Sequence, residues 1–277
     1  MKNSKIIDGR KWAKVHEEKL GEKIKKLKRV PRGENILIGN DPSSVLYTKI
    51  KENKAGELGI DFKTTRLPAD DSSFESVVRY IIHQLNRPNG PDGIMIQLPI
   101  PEEFLQGRSE KELLKAIDPQ KDIDGLTGKG PFPPAAVGAI LSLLKDEGIE
   151  ITGKKAVVVG ASDLVGKPAA LELEKLGAEV EICDSKTEDL KTKTLAADIL
   201  VSATGVPGLI QGDMIKEGVV VIDVGAEKVK GKIVGDVEFE SVYPKASKIT
   251  PVPGGVGPMT VVTLMENLVQ LTRGNSE

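Results

Sequence analysis

The period of apolar and polar positions changes repeatedly along the chain, and each change predicts an element. ENILIG (34–39), GIDFKTTRLP (59–68) and DGIMIQLP (92–99) are short, rich in strand-forming residues and bounded by turn residues, which predicts strands. Between them, 43–58 and 73–86 predict helices, with Ser43 or Ser44 capping the first and Gly59 ending it. After residue 150 the pattern restarts. KKAVVVG (154–160), EVEIC (179–183), DILVSAT (198–204) and GVVVIDVG (218–225) are apolar with little alternation, as strands buried on both faces are. Residues 165–176 predict the helix between the first two of these. Strand–helix alternation occurring twice predicts an α/β protein of two α/β domains with mostly parallel sheets, joined by long helices. The first domain is expected over 1–119 and the second over 151–250. Residues 120–150 are expected to be a linker, the bulk of DPQKDIDGLTGKGPFPP (118–134), followed by a connecting helix, AAVGAILSLLK. A last helix over 258–273 is expected to return to the first domain.

Composition narrows the classes. The chain has 277 residues, 39% hydrophobic and 29% charged, with a net charge of −2, which gives no reason to expect a nucleic acid as partner. The basic stretch Lys23, Lys25, Lys26, Lys28, Arg29 is interleaved with Leu20, Ile24 and Leu27 at helical spacing, so a solvated helix face is expected there. The one cysteine, Cys183, excludes a disulfide framework within the chain and fits a reducing, cytoplasmic home. The start, MKNSKIIDGRKW, lacks the apolar core of a secretory leader, and no run approaches the length of a membrane span. Two histidines and one cysteine offer no zinc cluster, so no metal is expected.

KAVVVGASDLVGKPAALELEKLGAEVEICDS has the order strand, turn, helix, strand. Gly160 ends the strand and Gly166 lies at the turn or first helical turn, where backbone amides can approach a phosphate; Ser162 is a candidate cap. The second domain is therefore expected to be a Rossmann-type dinucleotide-binding domain, although the strict G-x-G-x-x-G spacing is absent. Asp184 ends the second strand, where an acid commonly receives ribose hydroxyls and favours NAD. Ser185 and Lys186 beside it suit a 2′-phosphate and favour NADP; a plain polar turn is the third reading. In the first domain Tyr47 and Lys51 stand four residues apart, on one helix face. A lysine becomes an acid/base group when burial lowers its pKa, and a tyrosine ring beside it can stack on a flat heterocycle. Gln97 ends an apolar strand where ligands gather in open sheets. Asp122 and Asp124 lie in a loop. A carboxylate there can receive an amino-pyrimidinone edge, or cap a turn in the case of Asp122.

Seven segments carry a resemblance: GNDPSSVLYTKIK (39–51), DGIMIQLPIP (92–101), PQKDIDGL (119–126), VVVGASDLVGKP (157–168), GVVVIDVG (218–225), VGDVEF (234–239) and ITPVPGGVGPMTVVTLMEN (249–267). In this order, and over nearly the whole chain, they resemble the bifunctional methylenetetrahydrofolate dehydrogenase/methenyltetrahydrofolate cyclohydrolase family. The resemblance implies that Lys51 is the central catalytic residue, that Gln97 hydrogen-bonds and tunes it, and that Tyr47 stacks on or hydrogen-bonds the folate. It implies that Asp124 binds the pterin-like ring and that Pro253, Gly254 and Gly255 border the folate cleft. Gly160, Ala161, Ser162 and Ser185 would line the phosphates and ribose of an NADP cofactor, and Ala226 would sit near the nicotinamide. A homodimer is implied as well.

Three positions depart from the family's pattern. Ala161 replaces an arginine after the first glycine, Asp184 replaces a histidine, and Pro133-Pro134-Ala135-Ala136-Val137-Gly138 stands for P-C-T-P-x-G, with a hydroxyl lost at Ala135. The first two remove donors near a 2′-phosphate, and Asp184 adds a charge opposing it. NADP is therefore expected first with NAD left open. The alternatives are a dehydrogenase without the hydrolytic step, a different two-domain dehydrogenase, and a binding protein without catalysis.

Overall fold

The computed structural model describes residues 4–70 and 73–274; residues 1–3, which begin the expected first domain and the stretch searched for a leader, lie outside the described residues, as do 71–72 and 275–277. In chain order the elements are α1 (Gly9–Ile24), β1 (Arg32–Ile38), α2 (Pro42–Glu57), β2 (Asp61–Leu67), α3 (Phe74–Tyr80), β3 (Gly93–Ile96), α4 (Glu102–Leu105), α5 (Glu110–Leu114), α6 (Ala135–Asp146), β4 (Lys155–Val159), α7 (Gly166–Lys175), β5 (Glu179–Cys183), α8 (Leu190–Leu195), β6 (Ile199–Ser202), β7 (Val220–Asp223), β8 (Glu227–Val229), β9 (Lys232–Val234), α9 (Phe239–Val242), β10 (Lys248–Ile249) and α10 (Val256–Gly274). They form two compact units. One comprises His16–Ala135 and the chain from Val261 onward; the other comprises the chain through Val15 and Ala136–Thr260.

The first of these units holds a parallel three-stranded sheet in the order β2-β1-β3. Successive side chains of a strand point to opposite faces. Ile36, Ile38, Ile94 and Ile96 accordingly join Val77, Ile81, Phe104 and Leu113 in one core, while Met95 joins Leu20, Phe62, Leu264 and Leu268 in another. The carboxyl-terminal part of α10 is tied into this unit, because Asn267 Nδ2 donates to Ile123 O at 2.8 Å and Thr272 Oγ1 donates to Asp92 Oδ2 at 3.3 Å.

The other unit holds a parallel five-stranded sheet in the order β10-β7-β6-β4-β5, with β8 and β9 forming a separate antiparallel hairpin. The neighbours of β4 are β5 on one side and β6 on the other, so the winding reverses at β4, and the crevice beyond its carboxyl end is the ligand position of such sheets. Val157, Leu200 and Val221 are fully buried in its core. The described residues up to Val15, expected with the first domain, cluster with this unit. The Ile7 amide donates to Ile249 O and the Ile249 amide to Lys5 O, both at 2.8 Å, which extends the sheet by a bridge.

Two local expectations are corrected. The cap of α2 is Asp41 and not Ser43 or Ser44: its carboxylate accepts the Ser44 amide at 2.7 Å, and Pro42 occupies the first helical turn, where no N–H is needed. The helix expected over 73–86 is α3, after which Ile81–Leu85 continue as a π-helical turn. Ile36 is fully buried, and its carbonyl accepts the Gln97 amide at 2.8 Å. Ile36→Ala is expected to cost about 2–5 kcal/mol, read as a lower urea midpoint of the far-ultraviolet circular dichroism signal.

Candidate active site

Helix α2 turns its polar groups inward. Its buried residues are Ser44, Thr48, Lys51 and Ala55, whereas Leu46, Tyr47 and Ile50 are exposed. The helix therefore inverts the usual amphipathic arrangement, and Lys51 points into the protein. Only 8% of it remains accessible, and its Nζ donates to Gln97 Oε1 at 2.8 Å. Gln97 follows β3 directly. Its amide prolongs the ladder to β1 and its Nε2 donates to Leu98 O at 2.6 Å, so both ends of the side chain are fixed. Beneath the helix Asn35 Nδ2 donates to Thr48 Oγ1 at 3.2 Å. Tyr47 lies one helical turn before Lys51 with its side chain open, 39% exposed.

Asp124 is placed by its loop. Lys121 Nζ donates to the carbonyls of Leu85 at 3.0 Å and Arg87 at 2.7 Å, which pins the start of the loop. Asp122 Oδ1 accepts the amides of Asp124 and Gly125 at 3.1 and 2.8 Å, and its Oδ2 accepts that of Thr127 at 2.7 Å. Of the two readings of Asp122, the turn is the one found. Gly125 adopts φ +72°, and a Cβ there would fall 2.4 Å from Pro133 O, so the loop closes only with glycine. Ala135 donates its amide to Asp124 O at 2.9 Å while its methyl group is buried in the core with Met265 and Leu268. A hydroxyl at 135 would need a partner in those apolar surroundings, which explains why alanine suits this chain.

Burial lowers the pKa of Lys51, and Asp124 pulls it back up. Burial pushes Asp124 up to about 6, opposed by Lys51 and reinforced by Asp122. The two side chains thus sense each other across the site. Lys51 has a neutral hydrogen-bond partner in Gln97, so the lowered pKa is not cancelled by an ion pair.

The other unit carries the remaining predicted residues. Gly160 closes β4 with φ +109°, and a Cβ would lie 2.3 Å from Ala203 O. A Cβ on Gly166 would lie 1.8 Å from Gly160 O, so the loop folds back on itself at the start of α7 and leaves room for backbone only. Ser162 Oγ accepts the amides of Val165 and Gly166 at 3.2 and 3.3 Å and so steadies the turn, but the N-cap of α7 is Val165, not Ser162 as expected; Ser162 is exposed and Ala161 half-buried. This glycine cradle at the switch point fits the phosphates of a dinucleotide. Asp184, Ser185 and Lys186 are exposed. The Asp184 carboxylate accepts the Lys186 amide at 2.9 Å and so orders its own turn. Ala226 is exposed just past β7. Pro253 is exposed and Gly254 and Gly255 are buried in the turn before α10, where a Cβ on Gly9 would meet Gly255 O at 1.8 Å.

Two acids at the mouth of this sheet carried no role in the sequence reading. Asp223 ends β7 and Asp236 follows β9; both are buried, and burial pushes Asp223 up to about 7. The signal was an acid closing an apolar strand in GVVVIDVG and another between glycine and valine in VGDVEF. Among the described residues no group of three or more His, Cys, Asp and Glu side chains is placed to hold a metal ion. No described helix is long and apolar enough to cross a membrane.

A glycine cradle on a doubly wound sheet and a lysine kept from water beside a glutamine define a two-domain enzyme that works with a dinucleotide. Comparison with known proteins makes the class specific. Residues 7–124 match the family model described as the catalytic domain of tetrahydrofolate dehydrogenase/cyclohydrolase, and residues 134–276 match its NAD(P)-binding domain. The bifunctional protein FolD of Lactobacillus acidophilus is 46% identical over 281 residues, covering 97% of each chain. The crystal structure of the bifunctional FolD enzyme from Campylobacter jejuni superimposes with a TM-score of 0.91 at 37% identity, over 97% of this chain and 98% of that one. The Trypanosoma brucei enzyme, solved with NADP and an inhibitor, gives 0.90 at 34% identity, over 98% of each chain. The chain belongs to the tetrahydrofolate dehydrogenase/cyclohydrolase family.

Replacing Lys51 with methionine removes the cation that holds Asp124 down, so the Asp124 midpoint is expected to rise above about 6 in a carboxyl-carbon NMR titration. Because the folded-state value already exceeds that of a free carboxylate, acidification through this range favours the fold as far as this group is concerned. The titration therefore reports the site and not unfolding; an unchanged midpoint would show that the two groups are not coupled.

Proposed function

We propose that this chain oxidises 5,10-methylene-tetrahydrofolate to the 5,10-methenyl form by hydride transfer to NAD(P)+ and then hydrolyses the product to 10-formyl-tetrahydrofolate. The observation that carries this reading is the buried Lys51 amine held by the neutral amide of Gln97 and coupled to Asp124. Asp124 is assigned to the amino-pyrimidinone edge of the folate and Tyr47 to its ring. The turn Pro253-Gly254-Gly255 is assigned to the border of the folate site.

Gly160, Ala161, Ser162 and Gly166 would hold the phosphates of the dinucleotide, Asp184, Ser185 and Lys186 its adenine ribose, and Ala226 its nicotinamide. When bound, the dinucleotide supplies the hydride acceptor. The protein's part in that step is alignment, because the folate nitrogens stabilise the methenyl cation themselves. In hydrolysis, water adds to the methenyl carbon and Lys51, in its amine form, takes the proton. The bond from that carbon to N5 then breaks as the adduct's hydroxyl loses its proton and becomes the formyl C=O; N5 takes up a proton in exchange, and the formyl group stays on N10. Burial favours the amine form that this step requires.

NADP is the first choice of cofactor, on the pattern of the family and on Ser185 and Lys186. Asp184 favours NAD as the second reading. Its exposure lets water and salt screen its charge, which weakens the argument against a 2′-phosphate. Initial rates with methylene-tetrahydrofolate and each dinucleotide test both readings. Turnover is expected with both and more efficiently with NADP, and Lys51→Ala is expected to lose at least about 100-fold in hydrolysis, the usual worth of a general base. Absence of turnover with either dinucleotide would remove the assignment.

A reducing, cytoplasmic home is supported by the single buried cysteine. A homodimer is proposed as well. Its physical support is the β5 edge of the five-stranded sheet, where Ile182 is 43% exposed; Leu171 on α7 is exposed as well. Light scattering after size exclusion is expected to give twice the chain mass, falling to the monomer value in Ile182→Lys.

A further inference from the structure

Two buried acids in the dinucleotide-binding unit stand outside the chemistry described above. Asp223 Oδ1 accepts the amides of Gly225 and Asp236, and its Oδ2 accepts that of Val237, each at 3.0 Å. Asp236 Oδ2 accepts the Thr204 amide at 2.6 Å and the Ser202 hydroxyl at 3.0 Å. The second oxygen of Asp236, Oδ1, is buried without a hydrogen-bond partner among the described residues. Three segments distant in sequence are joined in this way: 202–204 leaving β6, 223–225 leaving β7, and 235–237 returning from the β8–β9 hairpin. The first two lie at the carboxyl end of the parallel sheet, where ligands of open α/β sheets gather.

The surrounding sequence is cut to fit the carboxylates. A Cβ on Gly225 would fall 2.0 Å from Asp236 Oδ1, and one on Gly235 would fall 1.9 Å from Asp223 Oδ2. Two fully enclosed acids are costly, and water is replaced here almost wholly by backbone amides. Such an arrangement fixes backbone at a point where the chain would otherwise be loop.

We propose that Asp223 and Asp236 are positioning residues for the nicotinamide end of the dinucleotide, acting by fixing the backbone of 203–204 and of 225–226. The proposal rests on the assignment of Ala226 to the nicotinamide. The two acids differ in what an amide can replace. An asparagine at 236 can put its carbonyl where Oδ2 accepts both bonds and its amide where Oδ1 accepts none. An asparagine at 223 has one oxygen for three amides and turns a donor toward at least one of them.

The experiment uses the intact protein and three readouts: calorimetric Kd for NADP without folate, KM against kcat for the dehydrogenase, and the hydrolysis of methenyl-tetrahydrofolate without dinucleotide. Asp236→Ala and Asp223→Asn are expected to weaken NADP binding and raise its KM by about tenfold, as loss of a buried hydrogen bond does, with hydrolysis unchanged. Asp236→Asn is expected to restore most of the binding lost in Asp236→Ala. Ser202→Ala removes a single bond and is expected to give a smaller loss of the same kind, which keeps the test open if Asp236→Ala fails to fold. The proposal is overturned if Asp236→Ala binds NADP as tightly as the wild type. It is also overturned if hydrolysis falls in parallel with binding, or if Asp236→Asn is as impaired as Asp236→Ala. A wild type that neither binds NADP nor hydrolyses the methenyl substrate would instead remove the functional reading itself.

Discussion

The catalytic unit is organised around keeping one lysine out of water without giving it a carboxylate partner at hydrogen-bonding distance. Lys51 has Gln97 as its acceptor, and a neutral acceptor leaves the desolvation of the amine uncompensated. A glutamate at that position would pair with the ammonium and hold it charged. Asp124 supplies negative potential from the loop without forming such a pair, and is itself raised by burial. The balance between these two groups fits the acid/base role proposed for Lys51.

Holding that balance needs a rigid surround. Gln97 is fixed by the β1 ladder, and Asp124 by a loop whose amides are gathered by Asp122 and whose start is pinned by Lys121. The final α10 helix closes the same unit through Asn267, which bonds the carbonyl of Ile123 immediately before Asp124. Residues far apart in the chain therefore share one task. The departure at Ala135 belongs here too, since its amide steadies Asp124 and its methyl group completes the apolar core.

The dinucleotide-binding unit solves a different problem, the close approach of backbone to a ligand. Gly160 and Gly166 admit no side chain because each is met by main-chain oxygen. At the other side of the sheet mouth, Asp223 and Asp236 bond amides that the ends of β6 and β7 leave unpaired. At the end of β5 the exposed Asp184 carboxylate orders its own turn by accepting the Lys186 amide.

Much of this was legible in the sequence. The apolar runs of β4, β6 and β7 announced a buried parallel sheet, because a strand covered on both faces has no polar side to show. The glycines of the turn after β4 and the placing of Gln97 at a strand end followed from spacing alone. Motif order carried the family. Other features depended on tertiary structure. The inward polar face of α2 runs against amphipathic patterning, so periodicity could not show that Lys51 is buried and Tyr47 open. The cap of α2 fell to Asp41 because a proline after it fixes the first turn. The clustering of the described residues up to Val15 goes with backbone bonds that Lys5 and Ile7 make to Ile249, and the Asp223–Asp236 cluster with the meeting of three loops. Local sequence determines which backbone and side-chain groups need partners; only the assembled fold determines which partners they find, because those lie tens or hundreds of residues away.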